Sequence, residues 1–291
     1  MLIAALAAAV VAGLIWRQQL WLRQFELSAA RTQARTLAGA GVRWAMLILQ
    51  DDARAGSIDH LREPWALRLP PTPLENGEVS GYIADQQGLY NLNDLVREGV
   101  AATDAQNRYR RLLQELKLPV ELADSLTDWI DTDTAQRGRG GAEDAYYRAQ
   151  AQPRLAANAP LLRVEELAQV RGYAGEPWQR LRHYVTALPQ SGLPLNVNTA
   201  PGAVLAAAVE NLGHDQAEAL ARADRRHTNV ALFRNTLPPG AIPPAETAMS
   251  VASQYFEIVV EARQGEARAL ARALVQRAPA SAPRIIWQVY E

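Results

Sequence analysis

Met1-Leu-Ile-Ala-Ala-Leu-Ala-Ala-Ala-Val-Val-Ala-Gly-Leu-Ile-Trp16 carries no charge, and Arg17, Gln18 and Gln19 follow it directly. About 20 apolar residues cross a bilayer as a helix, so the run is slightly short. No basic segment precedes it, as one would in a secretory signal. The helical pattern does not stop at Trp16. It continues through Leu20, Trp21, Leu22, Phe25, Leu27, Ala30, Leu37, Ala40 and Val42 towards Leu49, with no proline and only Gly13 before Gly39. This spacing predicts, within residues 1–55, one helix of roughly 50 residues, about 75 Å long at 1.5 Å per residue. Its first third is lipid-soluble and the rest, roughly Gln18 to Ile48, is amphipathic. The alternative is a signal anchor in front of an unrelated soluble domain.

Beyond this helix the chain changes character three times. Residues 56–75 read as a connector, with Gly56, Pro64, Pro70, Pro71 and Pro73. In 78–85, Val79, Gly81 and Ile83 alternate with polar neighbours, the period of a half-buried strand. From about Asn91 to Thr247 the pattern is helical. Tyr109, Leu112, Leu113, Leu116 and Leu118 form a stripe ending at Pro119, and further helices are predicted over 120–129, 164–170, 177–185, 200–212 and 215–223. Thr199 is the expected N-cap of the 200–212 helix, with Pro201 at an early position where a missing amide costs nothing. The tail returns to strands at 253–263 and 283–290. The intervening stretch 266–277 has helical spacing, but the Gln264-Gly265 turn and its flanking strands favour a hairpin meander. The fold class is therefore α+β: a long N-terminal helix (1–55), a small sheet domain (56–90 and 248–291), and a helical domain (91–247) inserted into it. An insertion of that length requires its ends to lie close together.

Composition excludes several functions. The formal net charge is −1, which gives no overall case for nucleic acid. There are no cysteines, so thiolate metal sites, cysteine catalysis and disulfides are ruled out. His60, His183, His214 and His227 share no metal-ligand spacing, and His183 reads as a packing residue beside Tyr184. No G-x-S-x-G and no Walker loop occurs.

The stretch richest in chemistry is Asp128-Trp-Ile-Asp131-Thr-Asp133-Thr-Ala-Gln136-Arg137-Gly138-Arg-Gly140-Gly141-Ala-Glu143-Asp144. Five carboxylates flank a glycine-rich loop with no histidine nearby, a donor set suited to calcium, which takes six to eight oxygens in flexible geometry. The glycines allow the chain to double back, so that Glu143 and Asp144 reach the same point as Asp131 and Asp133. EF-hand spacing fails: counting Asp131 as position 1, position 6 is Gln136 and position 12 is Ala142. The alternative is that Asp131 and Asp133 solvate a helix end and pair with Arg137 and Arg139. A hydrolase using Asp131 and Glu143 is a further reading.

A second patch, Leu193 to Leu220, resembles the helix-hairpin-helix modules of DNA-binding proteins. Only Gly213 of the expected Gly-X-Gly hairpin is present, and Glu210, Asp215 and Glu218 crowd the place of a phosphate. The patch reads as the same small fold used for packing. A membrane-anchored DNA-binding protein is the rival reading.

As a set, Gly88-Leu-Tyr-Asn-Leu-Asn-Asp-Leu95, Asp128-Trp-Ile-Asp-Thr-Asp133, Gly141-Ala-Glu-Asp144 with Tyr147, and Leu195-Asn-Val-Asn-Thr-Ala200, behind the apolar helix, resemble the K-type minor pseudopilin family of the bacterial type II secretion system (general secretion pathway protein K). The resemblance covers essentially the whole chain. It implies a pilin-like helix on an antiparallel sheet with an inserted α-domain. That domain would bind calcium through Asp131, Asp133, Glu143 and Asp144, with Gln136 as a carbonyl donor. It implies a non-enzymatic subunit of the inner membrane, single-pass, with its globular part in the periplasm. Its expected partners are the I- and J-type minor pseudopilins and other pseudopilins, with neither nucleic acid nor a small-molecule substrate. The bulky insert would cap the filament tip. The family's short basic leader ending in glycine does not precede Met1, so residue 1 reads as an internal Met or a late start. The carboxylate that ordinary pilins carry near the mature N-terminus has no counterpart before Glu26, which suits a tip subunit.

Overall fold

The computed structural model describes residues 1–75, 77–278 and 281–291, without the side chains of residues 4–10. The chain divides into two compact units. The first comprises residues 1–55, 64–84 and 257–291, and the second residues 56–63 and 85–256.

In the first unit, helix α1 runs from Leu2 to Ala55. Among the described residues no helix is long and apolar enough to cross a membrane. The membrane span read from residues 1–16 falls partly on side chains 4–10, outside the described residues. From Val11 to Ser28 every residue of α1 is exposed. The C-terminal half buries Ala34, Ala38, Val42, Ala45 and Leu49. These sit three and four residues apart and so share one helix face. The face is made of small residues because the sheet comes close. A Cβ on Gly41 would stand 2.7 Å from Val260 Cγ1, and one on Gly39 would stand 2.7 Å from the Tyr290 hydroxyl.

Five strands form that sheet: β1 (Leu69–Leu74), β2 (Gly77–Asp85), β3 (Tyr255–Gln264), β4 (Ala267–Ala278) and β5 (Ser281–Tyr290). Their order is the sequential one, and the β1–β2 and β4–β5 pairs are antiparallel. A long helix on an antiparallel sheet is thus the observed architecture. Strand β4 resolves the ambiguous stretch. Ala267, Ala269, Ala271 and Ala273 are all buried at period two, so one face of the strand is alanine. The supposed connector 56–75 is a correction: Pro64–Ala66 is a short 3-10 turn that buries Trp65, and 69–74 is an edge strand. Its prolines are tolerated because an edge strand need not donate on its outer side.

The second unit is mainly helical: α2 (Thr103–Glu115), α3 (Leu122–Ile130), α4 (Asp144–Arg148), α5 (Glu176–Leu181), α6 (Gly202–Ala208), α7 (His214–Arg222) and α8 (Val230–Arg234). The predicted stripe holds, and Tyr109, Leu112, Leu113, Leu118, Leu122, Leu126 and Trp129 form one core. The predicted 164–170 helix is a 3-10 helix over Val164–Gln169. Helix 200–212 is shorter than expected, because Glu210 leaves it to bridge Ile242. Thr199 is not its N-cap. Pro201 takes that position, and the Thr199 hydroxyl donates to Asp85 Oδ2 at 2.6 Å. His183 is exposed rather than packed.

Two features of this unit explain the asparagine-rich motifs. Buried backbone groups that no helix or strand satisfies need side-chain partners. Asn93 donates to the carbonyls of Leu161 (2.9 Å) and Leu188 (2.8 Å) and accepts from Leu161 N–H (2.8 Å). Asn196 and Asn198 serve the loops around them in the same way, Asn198 exchanging bonds with both backbone groups of His227. Asn93→Ala would orphan three buried backbone groups, so a loss of roughly 3 kcal/mol is expected. It would be seen as a lowered urea midpoint at unchanged slope; an unmoved midpoint would contradict this account.

The other feature is an acidic knot. Asp85 Oδ2 accepts from Asn196 Nδ2 (3.0 Å), Thr199 Oγ1 (2.6 Å) and Ser253 Oγ (2.7 Å), while Oδ1 accepts from Gln87 N–H (2.8 Å). Asp59 Oδ2 accepts from Ser253 N–H at 2.7 Å. Residues far apart in sequence, at 59, 85, 196–199 and 253, are thereby tied where the unit's chain enters and leaves.

Candidate metal centre

Helix α3 ends at Asp131, whose φ of −71° and ψ of 172° turn the chain out of the helix. The loop that follows doubles back and closes with Gly141 N–H donating to the Arg137 carbonyl at 2.9 Å. Asp128, fully buried, accepts the Arg137 N–H at 3.1 and 3.3 Å and so holds the loop against α3. Glycine is required in this loop for two different reasons. Gly138 has φ of +48°, in the left-handed region. At Gly141 a Cβ would collide with the Arg137 carbonyl and the Asp128 carboxylate, and at Gly140 with the Glu121 carbonyl. The return path is fastened by Arg171, whose Nη1 donates to the Gly141 carbonyl at 2.8 Å. Tyr147 packs edge-on to Trp129 at 4.9 Å.

This path brings Asp131, Asp133 and Glu143 together, with one carboxylate oxygen of each within 4.8 Å of the others. Asp131 and Glu143 are buried and Asp133 is exposed. Asp144 is spent elsewhere: its Oδ1 accepts from Ala156 N–H at 3.0 Å and its Oδ2 pairs with Arg148 at 3.0 Å. Gln136 is exposed and is not among the grouped residues. Three of the five residues named from sequence therefore converge. Asp128, the loop's anchor, was in the motif but carried no assigned role. Its signal was its position, one helical turn before Asp131.

Electrostatically the group is short of positive charge. Burial, and then the nearby charges of Asp128, Asp131, Asp133 and Asp144, push the Glu143 carboxyl up to about 7. Burial raises Asp128 to about 6, against the N–H bonds it accepts from Arg137 and Ala142. Burial also raises Asp131, against its bond from Arg137. Asp128 and Asp131 moreover sit at the C-terminus of α3, the negative end of the helix dipole. Among the described residues Arg137 is the one cation paired with Asp131 and Asp133: Nε and Nη2 each reach Asp131 Oδ2 at 2.9 Å, and Nη2 reaches Asp133 Oδ2 at 3.0 Å. Asp131 Oδ1 and both oxygens of Glu143 are buried without a hydrogen-bond partner. Orphaned buried carboxylate oxygens aimed into one place fit a hard divalent cation, which prefers such ligands. Asp131, Asp133 and Glu143 would hold it, and a cation there supplies charge neutralisation and cross-linking of the loop.

Family models for type II secretion system protein K match residues 88–190 and 195–251. Type II secretion system protein K of Pseudomonas aeruginosa is 35% identical over 95% of this chain and 86% of its own. The chain belongs to the type II secretion system protein K family. Its counterpart from Aeromonas hydrophila is 30% identical over 92% of this chain and 88% of its own. The crystal structure of the GspK–GspI–GspJ complex from the enterotoxigenic Escherichia coli type 2 secretion system contains a chain of the same fold. That chain superposes with a TM-score of 0.80 at 25% identity, covering 92% of this chain and 99% of that one. The α6–α7 hairpin offers no phosphate cradle. Glu210 is paired with Arg111 at 3.0 Å, and Gly213 N–H donates to Gln216 Oε1 at 3.2 Å.

Proposed function

We propose that this protein is a non-enzymatic minor pseudopilin. It assembles with the I- and J-type subunits at the tip of the type II secretion pseudopilus and helps initiate that filament for protein export across the outer membrane. The observation that carries this reading is the unpartnered apolar length of α1. Trp16, Trp21, Phe25, Trp44 and Leu47 are each more than half exposed. Exposed apolar surface of that extent marks a contact with other molecules. Ridge-into-groove packing of parallel helices gives the contact a physical form, and the likeness to the K chain of the three-subunit complex supports the choice of partners. The N-terminal part of α1 would anchor the chain in the inner membrane and leave the remainder in the periplasm. Calcium, held by Asp131, Asp133 and Glu143, would stiffen the loop and perform no reaction.

The test is co-purification of the full chain with tagged I and J subunits. Recovery of a ternary complex, reduced when Trp44 and Leu47 are both changed to serine, is the expected result. Failure of the unaltered chain to join I and J would end this reading.

A further inference from the structure

The guanidinium of Arg137 occupies the same oxygens that a divalent cation would need. It bonds Asp131 Oδ2 and Asp133 Oδ2 at 2.9 and 3.0 Å, two of the three converging carboxylates. The third, Glu143, is 8% exposed, and neither of its oxygens has a partner; Asp131 Oδ1 is likewise buried and unmatched. One monovalent side chain thus neutralises part of a site in which Asp131 Oδ1 and both Glu143 oxygens still lack any donor, while Asp133 Oδ1 accepts from Ala135 N–H at 2.8 Å. The backbone of Arg137 is held separately, its N–H on Asp128 and its carbonyl on Gly141 N–H. The side chain is 32% exposed, so it has an open way to solvent. The backbone bonds of Arg137 can therefore persist when the guanidinium moves.

We infer that Arg137 is a built-in counter-cation that holds the acidic loop in shape without metal and that calcium must displace to bind. The inference rests on the reading of Asp131, Asp133 and Glu143 as calcium ligands. Calcium requires six to eight oxygens at 2.3–2.6 Å. An oxygen shared between it and a guanidinium N–H would set two cations against each other. Exchange relieves that repulsion: the ion takes the carboxylates, and the Arg137 side chain swings into water while its backbone stays on Asp128. The arginine lowers the affinity below what the ligands alone would give, and it keeps the loop closed when calcium is scarce.

Calcium titration of the full chain by calorimetry, unaltered and as Arg137→Gln, tests this. The variant is expected to bind calcium about tenfold more tightly, the scale of losing a competing charge-assisted hydrogen bond. Equal or weaker binding by the variant overturns the displacement. A second measurement uses the unaltered chain alone, so it does not depend on the variant folding. Phenylglyoxal modification read by mass spectrometry should rise at Arg137 on adding calcium, with exposed Arg54 as the internal control. An unchanged or lower yield at Arg137 in a chain that binds calcium overturns the inference while leaving the metal reading in place. Absence of calcium binding to both chains defeats the metal reading itself.

Discussion

Replacing Asp85 by alanine will lower the stability of the chain by roughly 3–5 kcal/mol, the scale of breaking a buried, fully bonded charged group. Four donors, from Gln87, Asn196, Thr199 and Ser253, converge on this carboxylate, and all lose their acceptor together. Asp85→Asn keeps an acceptor at the crowded oxygen and will cost less. The effect depends on pH in a defined sense. Burial, winning over those hydrogen bonds, raises the Asp85 carboxyl from 3.8 to about 6. The group therefore takes up its proton more readily folded than unfolded. Its contribution is fully present below the ordinary carboxylate range and is lost as pH rises through about 6. The stability difference between the unaltered chain and Asp85→Ala should thus be larger at pH 4.5 than at pH 7.5. Denaturant midpoints at the two pH values check this. A difference that grows with pH would show that the hydrogen bonds outweigh desolvation.

The second large effect concerns the loop. Calcium at about 100 times its dissociation constant stabilises the native state by about 2.7 kcal/mol. For a folding unit of 150–250 residues that raises the melting temperature by roughly 5–10 °C. Excess chelator should reverse the rise, and Asp131→Ala should abolish it, because that residue supplies a buried oxygen with no other partner. Bound ligands must be deprotonated. The metal-free loop is at its most strained when Glu143, raised to about 7, is ionised. A carboxyl raised in this way contributes stability below about 4.5 that disappears as pH passes 7. The calcium-induced rise should therefore be larger at pH 8 than at pH 5. Identical melting curves with calcium and with chelator at pH 8 would remove the metal from the account.

Much of this architecture was legible along the chain because periodicity is local. A helix face needs apolar residues three and four apart, and the run from Ala34 to Leu49 supplies them; the alternating alanines of β4 needed only the turn before them to be read as a strand. The edge strand over 69–74 was hidden because its three prolines argue for a loop unless the strand lies at a sheet margin, and the margin is a property of the assembled sheet. Thr199 failed as a helix cap for a related reason. Its hydroxyl had a stronger distant acceptor in Asp85, more than a hundred residues earlier, and no local rule reveals such a competitor.

The acidic loop divides in the same way. The amino-acid order alone determined that oxygen ligands and chain-reversing glycines would be concentrated between Asp128 and Asp144, since composition and spacing are written there. Which carboxylates meet was decided only by the fold. Asp144 lies next to Glu143, yet it is drawn off by Ala156 and Arg148. Asp128 turns to the loop backbone, and Arg137 settles among the rest. The physical reason is that an oxygen bonds to whatever donor three-dimensional packing brings within about 3 Å, and sequence distance does not measure that separation.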